Sequence, residues 1–155
     1  MTLRFKRTLI ISLAVFSLLL NACSGQAAAQ APDADFSIQI NQVSFTSSDL
    51  SHLEYHEETL TRFGRDGEEQ VTCSGYRLAD ILSLADLNAG SQVTFMAADG
   101  FSAEVSYEQA VLETTLIVLE ENGEVLDDDN LPMLAVDGEG GNVWVRGVAE
   151  IIVTE

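Results

Sequence analysis

The side chains with the clearest chemical potential are one cysteine and two arginines. Cys73 precedes Arg77 by four positions, and Arg146 follows much later in the chain. A thiolate binds soft and borderline metal ions, and a guanidinium binds phosphate or carboxylate groups through paired hydrogen bonds. One hypothesis is therefore that Cys73 ligates a metal ion. The alternatives are a Cys73 buried as a small apolar side chain, or a disulfide with another molecule.

Two further groups could hold a metal ion. His52 and His56 are four positions apart, which puts two imidazoles on one helix face, but the helix predicted near 47–53 ends between them. Asp127, Asp128 and Asp129 offer carboxylates to calcium, but they lack the glycine and the distal glutamate of an EF-hand loop. Exposed histidines and a solvated turn are the simpler interpretations. The three aspartates remain weak candidates, and the sequence assigns no metal site.

The charge of the chain excludes one class of partner. Its net charge is −18, from 25 acidic and seven basic residues, and three of the basic residues lie within the first seven positions. From Cys23 onward, four arginines and no lysine oppose all 25 acids. Such a body repels polyanions, so nucleic acid is excluded as a partner. With 46% apolar residues, the composition predicts one globular domain.

The N-terminus has the pattern of an export signal. A basic start precedes an apolar run at 9–20, too short for a lasting membrane span. The tetrapeptide Leu-Asn-Ala-Cys at 20–23 resembles the lipobox of bacterial lipoproteins, in which the signal is removed and the cysteine is lipidated. This predicts a signal peptide at 1–22, lipidation of Cys23, a flexible tether at 23–35 and a domain at 36–155. A plain signal cut after the alanines at 27–29 is the alternative, and both place the domain outside the cytoplasm.

Under lipidation the chain is anchored to a membrane of the bacterial cell envelope, and Cys73 is its only thiol. Hydrophobic periodicity and turn residues then predict a mostly β domain with short helices. A helix is predicted at 77–86, and a capping box at Ser106 and Gln109 predicts a helical turn to about 112. Strands are predicted at 36–43, 55–63, 68–73, 92–97, 101–105, 114–119, 133–137 and 143–153.

Five segments occur in an order that resembles the oxidoreductase molybdopterin-binding domain of the sulfite oxidase family. They are SGYRLADIL at 74–82, ADGFS at 98–102, NGEVL at 122–126, LPMLAV at 131–136 and VWVRGVAEI at 143–151. The resemblance covers about 70–153 and implies a small, trimmed version of that α+β, mostly β fold. It also implies molybdopterin, the molybdenum cofactor, as the cofactor of a catalytic member.

The family's chemistry requires a cysteine thiolate that binds molybdenum, set in a Cys-any-Gly-Asn string followed by arginines. The segment from Cys73 to Arg77 imitates this string. It directly adjoins 78–82, however, which in the family belongs to a later motif where an aromatic-any-Gly triplet precedes the helix. In that register Cys73 occupies the aromatic position, and the ligand cysteine with its following segment is missing.

The family also holds the cofactor's phosphate with cationic side chains. Where basic residues are common in the family, this chain has Leu134 after the proline and Val143 before the tryptophan. With only four arginines in the acidic body, the anionic end of the cofactor meets a repulsive field. Both departures favour a retained fold with no bound cofactor.

The sequence therefore favours a non-catalytic, membrane-tethered binding or interaction module for a small molecule or an envelope protein. Its ligand pocket is predicted at Tyr76, Asp99, Phe101, Trp144 and Arg146. The first alternative is a molybdenum-cofactor oxidoreductase with Cys73 as metal ligand and Arg77 and Arg146 at the cofactor. The second is a structural lipoprotein that binds cations through its acidic loops.

Overall fold

The computed structural model of the chain describes residues 30–154. The predicted signal peptide, Cys23 and tether residues 23–29 lie outside these residues. In chain order the elements are β1 (Ser37–Ile40), β2 (Val43–Thr46), α1 (Ser47–Leu50), β3 (Tyr55–Gly64), β4 (Gly67–Arg77), α2 (Leu78–Leu84), β5 (Gln92–Ala97), β6 (Ser102–Ser106), α3 (Tyr107–Ala110), β7 (Thr115–Glu121), β8 (Glu124–Val125), β9 (Met133–Val136), β10 (Glu139–Gly140) and β11 (Val148–Thr154). Strands far outweigh helices, so the fold is mostly β and the α+β label fits it only loosely.

The strands form two sheets. The first has the order β2-β1-β11-β5-β6, and its β1–β11 pair is parallel. The second has the order β10-β3-β4-β7-β8, with β9 also paired to β7. Within the residues that the structure describes, no helix is long and apolar enough to cross a bilayer.

The strands predicted at 55–63 and 68–73 pair as the hairpin β3–β4, and those predicted at 92–97 and 101–105 pair as the hairpin β5–β6. In the second sheet, β3 and β4 pair from Tyr55 opposite Tyr76 to Gly64 opposite Gly67. The turn between β7 and β8 contains Asn122 and Gly123, with φ of 54° and 79°. These positive φ values at both central residues match the twist of the flanking strands, as in a type I′ turn.

Short helices connect the strands, and side chains cap two of them. Ser106 and Gln109 form the predicted capping box at the start of α3. The helix predicted near 47–53 is the shorter α1, and its N-cap is Thr46, because the Thr46 hydroxyl and the Asp49 carboxylate accept hydrogen bonds from each other's backbone N–H groups. The predicted amphipathic helix is confirmed as α2, and it buries Leu78, Ile81 and Leu82.

Both faces of the second sheet are buried. Along β7, Ile117 and Leu119 face the main core between the sheets, while Leu116 and Val118 contribute to a separate apolar cluster on the other face. We call this cluster the outer cluster. Its members are Leu60, Val71, Cys73, Leu116, Val118, Met133, Ala135 and Trp144. A strand buried on both faces has a continuous apolar sequence, as 116–119 does.

The prediction of a strand over 143–153 is wrong for its first five residues, because β11 begins only at Val148. Trp144 instead turns into the outer cluster. Gly147 then adopts a φ of 61°, a left-handed conformation that interrupts an extended chain. The segment 143–147 therefore forms a loop that covers the outer cluster.

Part of the predicted tether packs against the domain. Ala31 and Ala34, together with Phe36, are half-buried against the main core. The Phe36 carbonyl accepts a hydrogen bond of 3.0 Å from the N–H of Ser47 at the start of α1. We call residues 30–36 the strap. The packed domain thus starts before position 36, because small apolar side chains in the strap fit against the core.

Candidate functional site

Cys73 lies in the middle of β4, opposite Glu58 on β3 and Glu121 on β7. Its side chain is fully buried in the outer cluster, and it forms no disulfide among the described residues. Burial raises the pKa of the thiol to about 12, and the nearby Glu121 carboxylate acts in the same direction. At neutral pH the thiol is therefore protonated and surrounded by apolar side chains.

These surroundings do not fit a molybdenum ligand. A metal-binding cysteine must be a thiolate and must face a space that admits the metal and its cofactor. Cys73 belongs to a cluster of aliphatic side chains, Met133 and the Trp144 indole, and it does not line the cavities beside Tyr76, Asp99 or Glu121. The side chain has the environment of a small apolar residue in a packed cluster.

Arg77 ends β4 and precedes α2. It stands four residues from Cys73, about 13 Å along an extended strand. Its guanidinium lies 3.8 Å from a carboxylate oxygen of Glu58 and 3.9 Å from one of Glu113. Its Nε is buried and has no hydrogen-bond partner among the described residues. Arg77 is therefore shared between two carboxylates instead of facing a phosphate site beside Cys73.

Arg146 belongs to a network centred on Glu121. The Arg146 Nη2 lies 2.8 Å from Oε2 of Glu121, and the Arg62 Nη1 lies 3.0 Å from Oε1. Arg62 also binds Glu69 at 2.8 Å. The Glu121 side chain is only 15% exposed, so it joins two guanidinium groups in a partly desolvated place. A cofactor phosphate at Arg146 would have to compete with this carboxylate.

Sequence reasoning missed Arg62 and Glu121. Arg62 stands opposite Glu69 in the predicted hairpin, so the hairpin register was a usable signal for that pair. Nothing in the sequence places Glu121 between Arg62 and Arg146, since these residues come from three separate segments. The network depends on the loop at 143–147 folding back over the second sheet.

The structure separates the five residues of the predicted ligand pocket. Asp99 and Arg146 line one cavity of about 750 Å³, which we call the loop cavity. Tyr76 lines a different cavity of about 380 Å³, which we call the strap cavity because residues 30–36 form one of its walls. Trp144 lies in the outer cluster, where its indole N–H donates to the Val136 carbonyl at 2.9 Å. Phe101 is 43% exposed beside the Asp99 turn.

The loop cavity has a mixed lining. Besides Asp99 and Arg146, it is lined by Asp128, Asp129 and small residues around Gly147. Arg146 also lines a smaller cavity of about 300 Å³ near Glu121 and Glu124. The loop cavity thus offers carboxylates together with one guanidinium that is already paired.

The strap cavity has a more uniform lining. Tyr76 and Leu119, both buried, face it from the second sheet. Three serines of α1 and its C-cap lie on one side, and the strap lies on the other. Every polar side chain around it carries an oxygen function, and none of its lining residues is basic. The lining residues are Gln30, Ala31, Pro32, Asp33, Ala34, Asp35, Phe36, Ser47, Ser48, Ser51, Tyr76 and Leu119.

The weak metal candidates are placed as follows. Asp127 Oδ1 accepts hydrogen bonds from the Asn130 backbone N–H and side-chain amide, at 3.0 and 2.6 Å. This is the geometry of a turn. His52 is exposed after α1, whereas His56 is half-buried on β3. Over residues 30–154, no three histidine, cysteine or acidic side chains are grouped to hold a metal ion.

Comparison with solved structures reveals a similar fold. The sulfane dehydrogenase SoxCD from Paracoccus pantotrophus superimposes with a TM-score of 0.66 and 19% sequence identity, over 82% of this chain and 40% of the SoxCD chain. This chain therefore spans about two fifths of the length of that neighbour. No protein-family model matches the sequence, and no curated protein matches it.

The TM-score of 0.66 establishes a shared fold, and an identity of only 19% leaves the activity open. The superposition covers 82% of this chain, in which the five ordered segments run from 74 to 151. The chain has, at a coarse level, the sulfite oxidase-like fold that the order of those segments predicts.

Proposed function

We propose that this chain is an exported, membrane-tethered lipoprotein whose sulfite oxidase-like domain is a non-catalytic binding or interaction module. Its anchor would be a lipid on Cys23, and its location the bacterial cell envelope. Its partner would be a small molecule or an envelope protein. The domain would work without a molybdenum cofactor.

The burial of Cys73 carries this proposal. Cys73 is the only cysteine of the domain, so a cofactor held in the family's manner has no other thiolate to bind. Exposing it would require opening the outer cluster, to which the Trp144 indole also belongs. The free-energy cost is that of unpacking several buried apolar side chains, at about 1.5–3 kcal/mol each.

The charges around the candidate cofactor residues support the same proposal. Arg77 is shared by Glu58 and Glu113, and Arg146 is paired with Glu121. A phosphate would have to displace a carboxylate from a guanidinium inside a strongly acidic body. In a catalytic protein of this fold, these positive charges would have to be free to hold the cofactor.

Elemental analysis tests the proposal. Full-length protein isolated from the envelope of its own host is assayed for molybdenum, beside a Cys73→Ala variant prepared in the same way. We expect no molybdenum above background in either protein. Stoichiometric molybdenum in the wild type and its loss in the variant would overturn the proposal. Labelling with a radioactive fatty acid tests the anchor, since the label should disappear in Cys23→Ala.

The fold similarity favours a second candidate function. The neighbour SoxCD is a dehydrogenase, so a molybdenum-cofactor oxidoreductase with Cys73 as the metal ligand is the competing hypothesis. It requires a rearranged outer cluster in which Cys73, Arg77 and Arg146 all reach the cofactor. The elemental analysis of wild type and Cys73→Ala decides between the two functions.

A further inference from the structure

One edge of β3 faces away from β4 and offers backbone hydrogen-bonding groups. Gly64 pairs with Gly67 across a two-residue turn, so every second residue counted back from position 63 directs its backbone N–H and C=O groups away from β4. Glu57 and Thr59 are two of these residues, and both are exposed. Their outward backbone groups form no hydrogen bond with any of residues 30–154. We call residues 55–60 along this side of β3 the open edge.

The chain itself pairs with the adjoining part of the same edge, where β10 runs parallel to β3. The Thr61 N–H donates to the Asp137 carboxylate at 2.7 Å, and the Thr61 carbonyl accepts from the Gly138 N–H at 2.9 Å. The Phe63 carbonyl accepts from the Gly141 N–H at 3.1 Å. This side of β3 therefore accepts an extended segment, and the open edge continues it toward the start of the strand.

The side chains near the open edge are acidic. Glu54, Glu57 and Glu58 lie within five positions of the chain. Glu58 lies 3.8 Å from the Arg77 guanidinium, whereas Glu54 and Glu57 are exposed and form no ion pair with the described residues. The open edge thus combines free backbone groups with negative charges that are not neutralised.

The two free edges of the first sheet differ in charge from the open edge. β2 contains no charged residue. β6 contains one carboxylate, that of Glu104, and it already accepts a hydrogen bond from Gln92 at 2.9 Å. Among these three edges, only the open edge combines free backbone groups with unpaired carboxylates.

A second copy of the chain fits the open edge poorly. Two β3 strands paired edge to edge would bring the glutamates of both copies together, and like charges on adjacent strands are destabilising. Natural proteins use charged residues on edge strands to prevent such self-pairing. The net charge of −18 adds repulsion between whole chains. A strand that carries lysine or arginine meets attraction at the same place.

We propose that the open edge binds an extended, basic segment of another protein as an added β-strand. The backbone of that segment pairs with Glu57 and Thr59, which is the source of affinity in β-strand addition. Its lysine or arginine side chains lie beside Glu54 and Glu57, and they select a basic partner over a second copy. This inference rests on the proposed function, because it names the kind of partner that an interaction module would bind.

NMR titration of the isotope-labelled, full-length protein in a nonionic detergent tests the inference. The probe is a capped pentapeptide of alternating lysine and valine. We expect saturable binding of one peptide per chain and slower hydrogen exchange at the Glu57 and Thr59 amides, because both become hydrogen-bonded. Two control peptides should not bind. In one, glutamate replaces lysine, and in the other, every backbone nitrogen is methylated and cannot donate.

A proline variant locates the backbone contact. Thr59→Pro removes an N–H that the domain does not use, and edge strands tolerate proline at such positions, so the variant should fold. It should weaken peptide binding about tenfold. Ser44→Pro is the matched control, because Ser44 is exposed and directs its N–H outward in the same way on the free edge of β2. This control should keep the wild-type affinity.

A charge variant tests the selection of a basic partner without touching the backbone. Glu54→Gln, Glu57→Gln should weaken peptide binding about fivefold at low salt. Its control is Glu68→Gln, Glu124→Gln, which removes the same charge from two other exposed positions and should have little effect.

Four outcomes would overturn the inference. They are no saturable binding of the lysine–valine peptide, unchanged exchange at both amides when the peptide is bound, equal binding of the methylated peptide, and equal losses in the two proline variants. A dimer in sedimentation without peptide, with slow exchange at both amides, would also overturn it and would assign the edge to a second copy. Molybdenum in the native protein would instead overturn the proposed function, and the elemental analysis detects it independently of the titration.

Discussion

Arg62 lies over the indole ring of Trp144, with its Cζ atom 5.0 Å from the ring centroid. The guanidinium is held there by Glu69 at 2.8 Å and Glu121 at 3.0 Å. At its edge, the indole N–H donates a hydrogen bond to the carbonyl of Val136 at the end of β9. The loop at 143–147 is therefore attached to the second sheet through both the face and the edge of one aromatic ring.

The first prediction concerns this contact. In a double-mutant cycle, Arg62→Met and Trp144→Leu should show a coupling of about 0.5–1 kcal/mol in the free energy of unfolding, because each variant removes one half of a cation–π pair. Urea denaturation measures it. The pair Arg65→Met and Trp144→Leu is the control and should be additive, since Arg65 lies exposed in the β3–β4 turn. Additivity in the first pair as well would show that the guanidinium does not rest on the ring.

The second prediction concerns the polarity around Cys73. Cys73→Ser places a hydroxyl in the apolar outer cluster. Because a buried hydroxyl without a partner is unfavourable, the variant should have a free energy of unfolding about 1–3 kcal/mol below that of the wild type. Cys73→Ala removes the sulfur without adding a polar group, so we expect it to be the milder substitution. The urea midpoints of the two variants provide the comparison. A serine variant as stable as the alanine variant would place Cys73 in contact with a polar partner.

The third prediction is a pH dependence. The thiol pKa is about 12 in the folded chain, against an ordinary value of 9.0 in the unfolded chain. Between these values the unfolded state has lost the proton and the folded state keeps it, so stability falls as pH rises. At pH 10 the wild type should have lost about 1.4 kcal/mol more than Cys73→Ala, relative to pH 7. Parallel stability profiles for the two proteins between pH 7 and 10 would show that the thiol ionises freely.

The fourth prediction concerns Gly75, which lies at a bulge where β4 pairs with β7. A Cβ there would meet the Ile117 carbonyl and would approach the Val118 Cα to 2.7 Å, and both are backbone atoms that cannot move independently. Gly75→Ala should therefore lower the free energy of unfolding by at least about 3 kcal/mol. Gly141→Ala is the control, because a Cβ at position 141 would meet nothing within 4 Å. Thermal melts of both variants suffice, and equal melting temperatures would refute the prediction.

The hairpins and helices were predictable because their signals are local. Asp66 and Gly67 mark one turn, Asn122 and Gly123 another, and the Ser106 capping box marks α3. The coarse fold was predictable from the order of the five segments. Residues 143–147 were not predictable, since Val143 and Val145 alternate like a strand while Trp144 gains more by packing in the outer cluster.

The candidate site was harder to predict than the fold. Asp99 and Arg146 line the loop cavity together, but Tyr76 lines the separate strap cavity. Which of the predicted site residues lie close together depends on the pairing of strands that are far apart in the sequence, such as β4 with β7. The strap was missed because alanines and a proline in a small, polar segment are typical of linkers. The packing of Ala31 and Ala34 becomes visible only when the main core that they contact is known.

The packed strap also limits the distance between the domain and the membrane. If Cys23 carries the lipid, only six residues separate it from Gln30, where the strap begins, and six extended residues span about 20 Å. The domain would then lie close to the lipid headgroups, with its N-terminal side facing them. Molecules released at the membrane surface would reach the strap cavity first, and a partner in the same membrane could meet the domain without long-range diffusion.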